Sequence, residues 1–244
     1  MAFGGDPSGI AGLKRKPGSI KAYLELHIEQ GPVLEVENEP VGIVTAINAQ
    51  RRARIRVTGE AGHAGTVPMT LRTDALTASA EMALALEAIA ASHEQAVGTV
   101  GVFQVNPGAT NVVPGAVEFT IDFRCPSNET LAAMETAVHS RFGEIAARRG
   151  VGLSINVYAK AAAVPMDPGL QDALSAGVAR MGVNPSPRRL PSGAGHDAMA
   201  MAALCPAAML FVRNEKGISH SPLENMTEAD AGIAIRVLLE AILE

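Results

Sequence analysis

Between Arg51 and Lys160 the hydrophobic pattern moves between two-residue and helical spacing in the order β-α-β-β-α-β, and that succession leaves few folds open. Ala53, Ile55 and Val57 alternate with Arg52, Arg54 and Arg56, as a strand with one buried face requires. The Ala-rich stretch after Thr73, a candidate N-cap, carries Met82, Leu86 and Ile89 as a helical stripe. Thr99–Val105 reads as the next strand, and Val117, Phe119, Ile121 and Phe123 alternate with Glu118, Thr120, Asp122 and Arg124 in the one after it. Ser127 or Asn128 then caps a helix with Leu131, Met134, Val138, Phe142 and Ile145 on one side, which Gly150 ends. Val151, Leu153, Ile155 and Val157 complete the set. This order predicts a ferredoxin-like unit: a four-stranded antiparallel sheet with both helices on one face.

The flanks read differently. Tyr23, Leu24, Leu26 and Ile28 make a buried-strand pattern broken at Gly31-Pro32, and VGIVTAI (Val41–Ile47) follows as a second apolar strand. Past Pro165-Met166-Asp167-Pro168-Gly169 come a helix over about Leu170–Met181, the loop LPSGAGHDAMA, the strand AAMLFV and a terminal helix. Thr227 caps that last helix, Asp230 stands where a capping box places its acid, and Ala234, Val237, Leu238 and Ala241 form its inner stripe. Residues 20–49 and 164–244 therefore read as one α/β portion, with residues 50–163 inserted into it. Met1 to Ser19 reads as a mobile lead-in with room for a short helix.

The net charge of −5 and pI near 5.7 give no basic footprint for nucleic acid, and no apolar run approaches the roughly 20 residues of a membrane helix. Cys125 and Cys205 lack metal-type spacing and the N-terminus lacks the apolar core of a signal peptide, so a reduced, cytoplasmic setting is expected.

Chemistry-bearing residues cluster in glycine-rich breaks. His27, with Glu29 and Gln30, lies near a strand end, where open α/β sheets keep their ligands. His220, in GISHSP, lies in a second break far downstream, so folding can bring the two histidines together as metal ligands. His63 sits in GEAGHAGTVPM, either at a ligand or as a structural histidine of a glycine-rich turn. His196, in SGAGHDAM, marks a loop-to-helix junction with backbone N–H groups free for an anion, unless Asp197 only caps that helix. Asn111 and Arg124 can project from the open face of the sheet. Arg124 is suited to hold a carboxylate bidentately, the alternative being a solvated strand residue paired with Asp122 or Glu118.

Taken together, LHIEQGPVLE, GEAGHAGTVPM, TNVVPGAVEFTIDFR, SGAGHDAMAMA and GISHSPLE resemble the amidohydrolases of the M20 metallopeptidase group, which include allantoate amidohydrolase, N-carbamoyl-L-amino-acid hydrolase and β-ureidopropionase. The resemblance runs from about Ala22 to the C-terminus. It implies an M20-type α/β catalytic domain carrying an inserted lid, and a homodimer formed through that lid. It also implies a dinuclear manganese or zinc site that hydrolyses the linear C–N bond of a small ureido or carbamoyl acid. By this resemblance His27 and His220 are metal ligands, and His63 reaches the partner subunit's site to stabilise an oxyanion. Asn111 and Arg124 hold the substrate carboxylate, while Gln30 and His196 line the pocket. GHAGTVPM and MLFVR lean the substrate toward allantoate. The family's H-x-D motif and Glu-Glu pair, which supply further ligands and the general base, occur nowhere in the chain. The resemblance is therefore to the C-terminal part of such an enzyme, expected to be inactive alone. The other reading is a catalytically silent remnant or fragment that keeps only dimerisation or ligand binding.

Overall fold

The computed structural model describes residues 4–243. In chain order the elements are β1 (Tyr23–Ile28), α1 (Val33–Val36), β2 (Val41–Ile47), β3 (Ala49–Thr58), β4 (Gly62–His63) and α2 (Ala75–Ala91). They continue with β5 (Val97–Asn106), β6 (Val112–Val113), β7 (Ala116–Cys125), α3 (Asn128–Arg149), β8 (Gly152–Ala161) and β9 (Val164–Pro165). The last are α4 (Pro168–Arg180), β10 (Arg189–Ser192), α5 (Ala198–Met201), β11 (Ala207–Val212) and α6 (Glu228–Ile242). Contacts divide the chain into two units, Asn48–Ala163 and the segments on either side of it.

Within Asn48–Ala163 the four long strands run β5-β7-β3-β8, every neighbouring pair antiparallel, which is the ferredoxin-like order. Strand alternation places Ala53, Ile55, Val57, Val117, Phe119, Ile121 and Phe123 on one face, where they pack with Met82 and Leu86 of α2 and Met134 and Phe142 of α3. The first helix is capped by Asp74, whose carboxylate accepts from the Leu76 and Thr77 N–H groups, and not by Thr73. The Thr73 carbonyl instead presses on Gly59, where an added Cβ would lie 2.0 Å from it, and it accepts the Glu60 N–H. Ser127 caps α3 and Gly150, at φ 70°, ends it. A short ribbon, β4 with β6, lies in stretches whose sequence reads only as loop.

The face away from the helices is polar, and Asp122 is its hub. Its carboxylate accepts from Arg124 Nε and Nη2 at 2.9 and 2.6 Å, from Arg52 Nε at 2.8 Å and from Gln50 Nε2 at 3.0 Å. Burial works to raise the Asp122 carboxyl, but the bonds from Arg124 and Arg52, the Arg124 charge and the Gln50 bond hold it below the ordinary aspartate value. A depressed folded-state value means stability that is present above the unfolded value of about 3.9 and lost as pH falls through the folded one. Asp122→Asn should therefore cost about 2 kcal/mol at neutral pH. In urea unfolding of wild type and variant, the difference should shrink as pH is lowered below about 4. A gap that is unchanged with pH would contradict this.

The other unit holds a five-stranded mixed sheet, β1-β11-β2-β10, with β9 also paired to β2. β1 and β11 are parallel and in register from Tyr23↔Ala207 to Ile28↔Val212. All six residues of β11 are buried because both faces are covered. Leu24, Leu26 and Ile28 join Ala208, Leu210, Leu174, Val178, Ala234 and Val237 under α4 and α6. Met209 and Phe211 turn to the opposite face, with Leu34, Val44 and Ala198. Thr227 caps α6 through the Asp230 N–H, but the Asp230 carboxylate does not close a capping box. It is 3 % exposed and takes both Nε and Nη2 of Arg213, at 3.0 and 2.9 Å, because a buried carboxylate gains more from a bidentate cation than from one backbone N–H. Of the Met1–Ser19 lead-in, residues 1–3 lie outside the described residues, while Pro7–Leu13 forms a 3-10 helix capped by Asp6. No helix among the described residues is long and apolar enough to cross a membrane.

Candidate functional site

Four of the candidate residues belong to the mixed-sheet unit, and two of these, His27 and His196, meet near the end of β1. Alternation along β1 sends Glu25 and His27 to the face opposite Leu24 and Leu26, the face that Phe211 shares. There the rings of His27 and His196 meet edge to face at 4.6 Å, and His196 also lies 5.9 Å from the Phe211 ring.

His196 has a 1 % exposed side chain. Its Nε2 is 2.6 Å from Ser192 Oγ, and its Nδ1 is buried without a hydrogen-bond partner, 3.7 Å from Glu25 Oε1. Burial, with the neighbouring His27 as the next cause and Asp197 opposing, lowers it to about 4, so the imidazole is neutral at neutral pH. Of the N–H groups expected to be free at this junction, that of Ala198 is taken. α5 is a single four-residue turn, Asp197 makes no capping bond, and the Ala198 N–H is taken by Glu25 Oε2 at 2.8 Å. Ser192, which faces His196 Nε2, opens the SGAGHDAM motif, whereas Glu25 carries no motif and only alternation from His27 marks it as sharing that face.

His27 Nδ1 lies 2.8 Å from the Ile28 carbonyl, so Nδ1 donates that bond and Nε2 is the ring nitrogen left for a metal, as in a metal-ligating histidine. Glu29, in contrast, is structural. It is buried and accepts the Val33 and Leu34 N–H groups of α1 at 2.8 Å each. Gln30 adopts φ 58° and donates its N–H to Asn214 Oδ1, which ties the end of β1 to the loop that carries His220. His220 itself is exposed, at φ 55°, with its N–H on Glu224 Oε2. His27 thus fits a divalent metal, but among the described residues no three His, Cys, Asp or Glu side chains group closely enough to hold one.

The remaining three belong to the ferredoxin-like unit. His63 pairs with Val112 across the β4–β6 ribbon, and the Ala64 N–H donates to the Asn111 carbonyl at 2.9 Å, so His63 and Asn111 come together. Both are exposed. Arg124 stands apart on β7, engaged with Asp122 in the pairing that the sequence leaves open. A cavity of about 930 Å³ between α4, α6 and the start of β1 is lined by Tyr23, Leu24, Leu170 and Ala241 and by none of the seven candidates.

Residues 2–244 match the profile of Peptidase family M20/M25/M40. The chain is 39 % identical over 237 residues to N-carbamoyl-L-amino acid amidohydrolase of Geobacillus stearothermophilus, covering 97 % of the chain and 58 % of that protein. It is also 39 % identical over 253 residues to allantoate deiminase of Arabidopsis thaliana, covering 93 % of the chain and 48 % of that protein. A crystal structure of an amidase of the hydantoinase/carbamoylase family from Burkholderia multivorans superposes with a TM-score of 0.88 at 38 % identity, covering 92 % of the chain and 54 % of that one. The protein belongs to the M20/M25/M40 family, and within it resembles amidohydrolases. It spans about half the length of the curated relatives it matches.

Proposed function

We propose that this chain supplies the C-terminal share of a metal-dependent amidohydrolase, one that releases ammonia from a small ureido or carbamoyl acid. The observation that carries the reading is the equal, nearly chain-long similarity to two relatives named for allantoate and for N-carbamoyl amino acids, substrates that share a ureido nitrogen and a carboxylate. His27 and His220 provide two metal ligands, and His196 and Gln30 line the pocket. Asn111 and Arg124 hold the carboxylate, Arg124 being drawn from Asp122 toward the substrate. The ferredoxin-like unit acts as lid and dimer interface. In support, β5 is a ten-residue edge strand with Val97, Val102 and Phe103 exposed, which a second copy would cover. Two buried free cysteines accord with a cytoplasmic setting. Allantoate is the substrate that the motifs favour, and N-carbamoyl amino acids are the second reading because the Geobacillus relative is as similar as the Arabidopsis one.

The test is to join the chain to the upstream part of the Geobacillus relative and assay ammonia release from allantoate and from N-carbamoyl amino acids with manganese. Turnover of at least one ureido acid is expected, with none from the 244-residue chain alone. Hydrolysis of dipeptides without ammonia release would move the chain to the peptidase side of the family.

A further inference from the structure

We infer that Asn214 is a positioning residue that couples the two segments of the candidate site, fixing the Gln30-Gly31 backbone against the turn that leads to His220. Asn214 follows Arg213 just past the end of β11 and is only 1 % exposed. Its Oδ1 accepts the Gln30 N–H at 3.1 Å, across 184 positions of sequence, and its Nδ2 donates to the Ile218 carbonyl at 2.9 Å. One carboxamide therefore satisfies a donor on one segment and an acceptor on the other, which a carboxylate, having no donor, cannot reproduce.

The segments it joins are unusually demanding. Three of the five left-handed non-glycine residues among those described fall here: Gln30 at φ 58°, Lys216 at 53° and His220 at 55°. Such backbone persists only where its surroundings hold it. Gly217, at φ 63°, packs so closely that a Cβ on it would lie 2.6 Å from the Gly31 carbonyl carbon. A second staple, Glu35 Oε2 accepting the Lys216 N–H at 2.9 Å, holds the same turn from α1. Asn214 bonds to both segments at once, so it sets where the turn that leads to His220 lies relative to the end of β1. The importance of this for catalysis rests on the function proposed above, but the coupling does not, and the experiment reads the coupling alone.

Backbone amide exchange, followed by NMR on the 244-residue chain, compares wild type, Asn214→Ala and Asn214→Asp. In Asn214→Ala the Gln30 amide should exchange about tenfold faster or more, with shifted Gly217 and His220 resonances, while α4 amides such as Leu174 and Val178 keep their protection. Asn214→Asp should separate the two bonds. It retains the acceptor, so Gln30 stays protected, but it has no donor for Ile218, so the Lys216–His220 turn loosens. Exchange at Gln30 unchanged in Asn214→Ala would overturn the proposal, as would equal acceleration through α4 and β2, which would make Asn214 a residue of general stability. If the alanine variant does not fold, the aspartate variant decides alone, and loss or retention of both effects together would count against the coupling.

Discussion

Replacing His63 by alanine in the assembled enzyme is expected to lower kcat by roughly two to three orders of magnitude while KM moves little. The structure gives this histidine a defined donor. The Gly65 N–H donates to His63 Nδ1 at 3.1 Å, which places the neutral ring's proton on Nε2, and the side chain is exposed on a ribbon tied to Asn111. A donor aimed at an oxygen whose charge grows only during attack acts on the transition state and not on the bound substrate. Arg124→Ala is the contrast: its partner carboxylate is charged throughout, so its loss should mainly raise KM. Because His63 is proposed to serve the neighbouring subunit, mixing His63→Ala protein with a His220→Ala protein should rebuild active sites in heterodimers. If subunits exchange and activity stays at zero, His63 is a turn residue and does not act across an interface.

Asp230→Ala should cost the mixed-sheet unit about 3 kcal/mol or somewhat more. The Asp230 side chain is 5 % exposed and the Arg213 side chain 26 %, so removing the carboxylate leaves a guanidinium largely out of water, with Asn38 Oδ1, at 2.9 Å, as its remaining side-chain acceptor among the described residues. The same pair fastens the end of β11 to α6, immediately before Asn214. Urea unfolding followed by a probe within that unit measures the loss, and a change under about 1 kcal/mol would mean that solvent screens the pair as it does surface ion pairs.

The ferredoxin-like unit was legible because its strands are amphipathic. Period two is plain in Ala53-Ile55-Val57 and in Val117–Phe123, and six elements in that order admit few topologies. The flanking sheet shows less. β10 is a four-residue strand inside a Gly/Pro/Ser-rich stretch, and the β4–β6 ribbon has two residues a side, too short for any period to appear. The histidines stood out by their glycine-rich settings, but the groups that hold them did not. Glu25 and Asn214 are ordinary residues whose roles arise from tertiary contacts alone. The Asp74 cap and the Asp230–Arg213 pair mark the same limit. Sequence offers adjacent candidates for a backbone N–H, and burial and distant partners choose among them.

The proposed activity requires that the ends of β1 and β11 form one share of a metal site, and metal content tests that directly. The assembled protein, purified in manganese or zinc, should retain bound metal and release ammonia from a ureido acid, whereas His27→Ala and His220→Ala should each lose metal and turnover while keeping their fold by circular dichroism. Full metal content with undiminished turnover in either variant would contradict it.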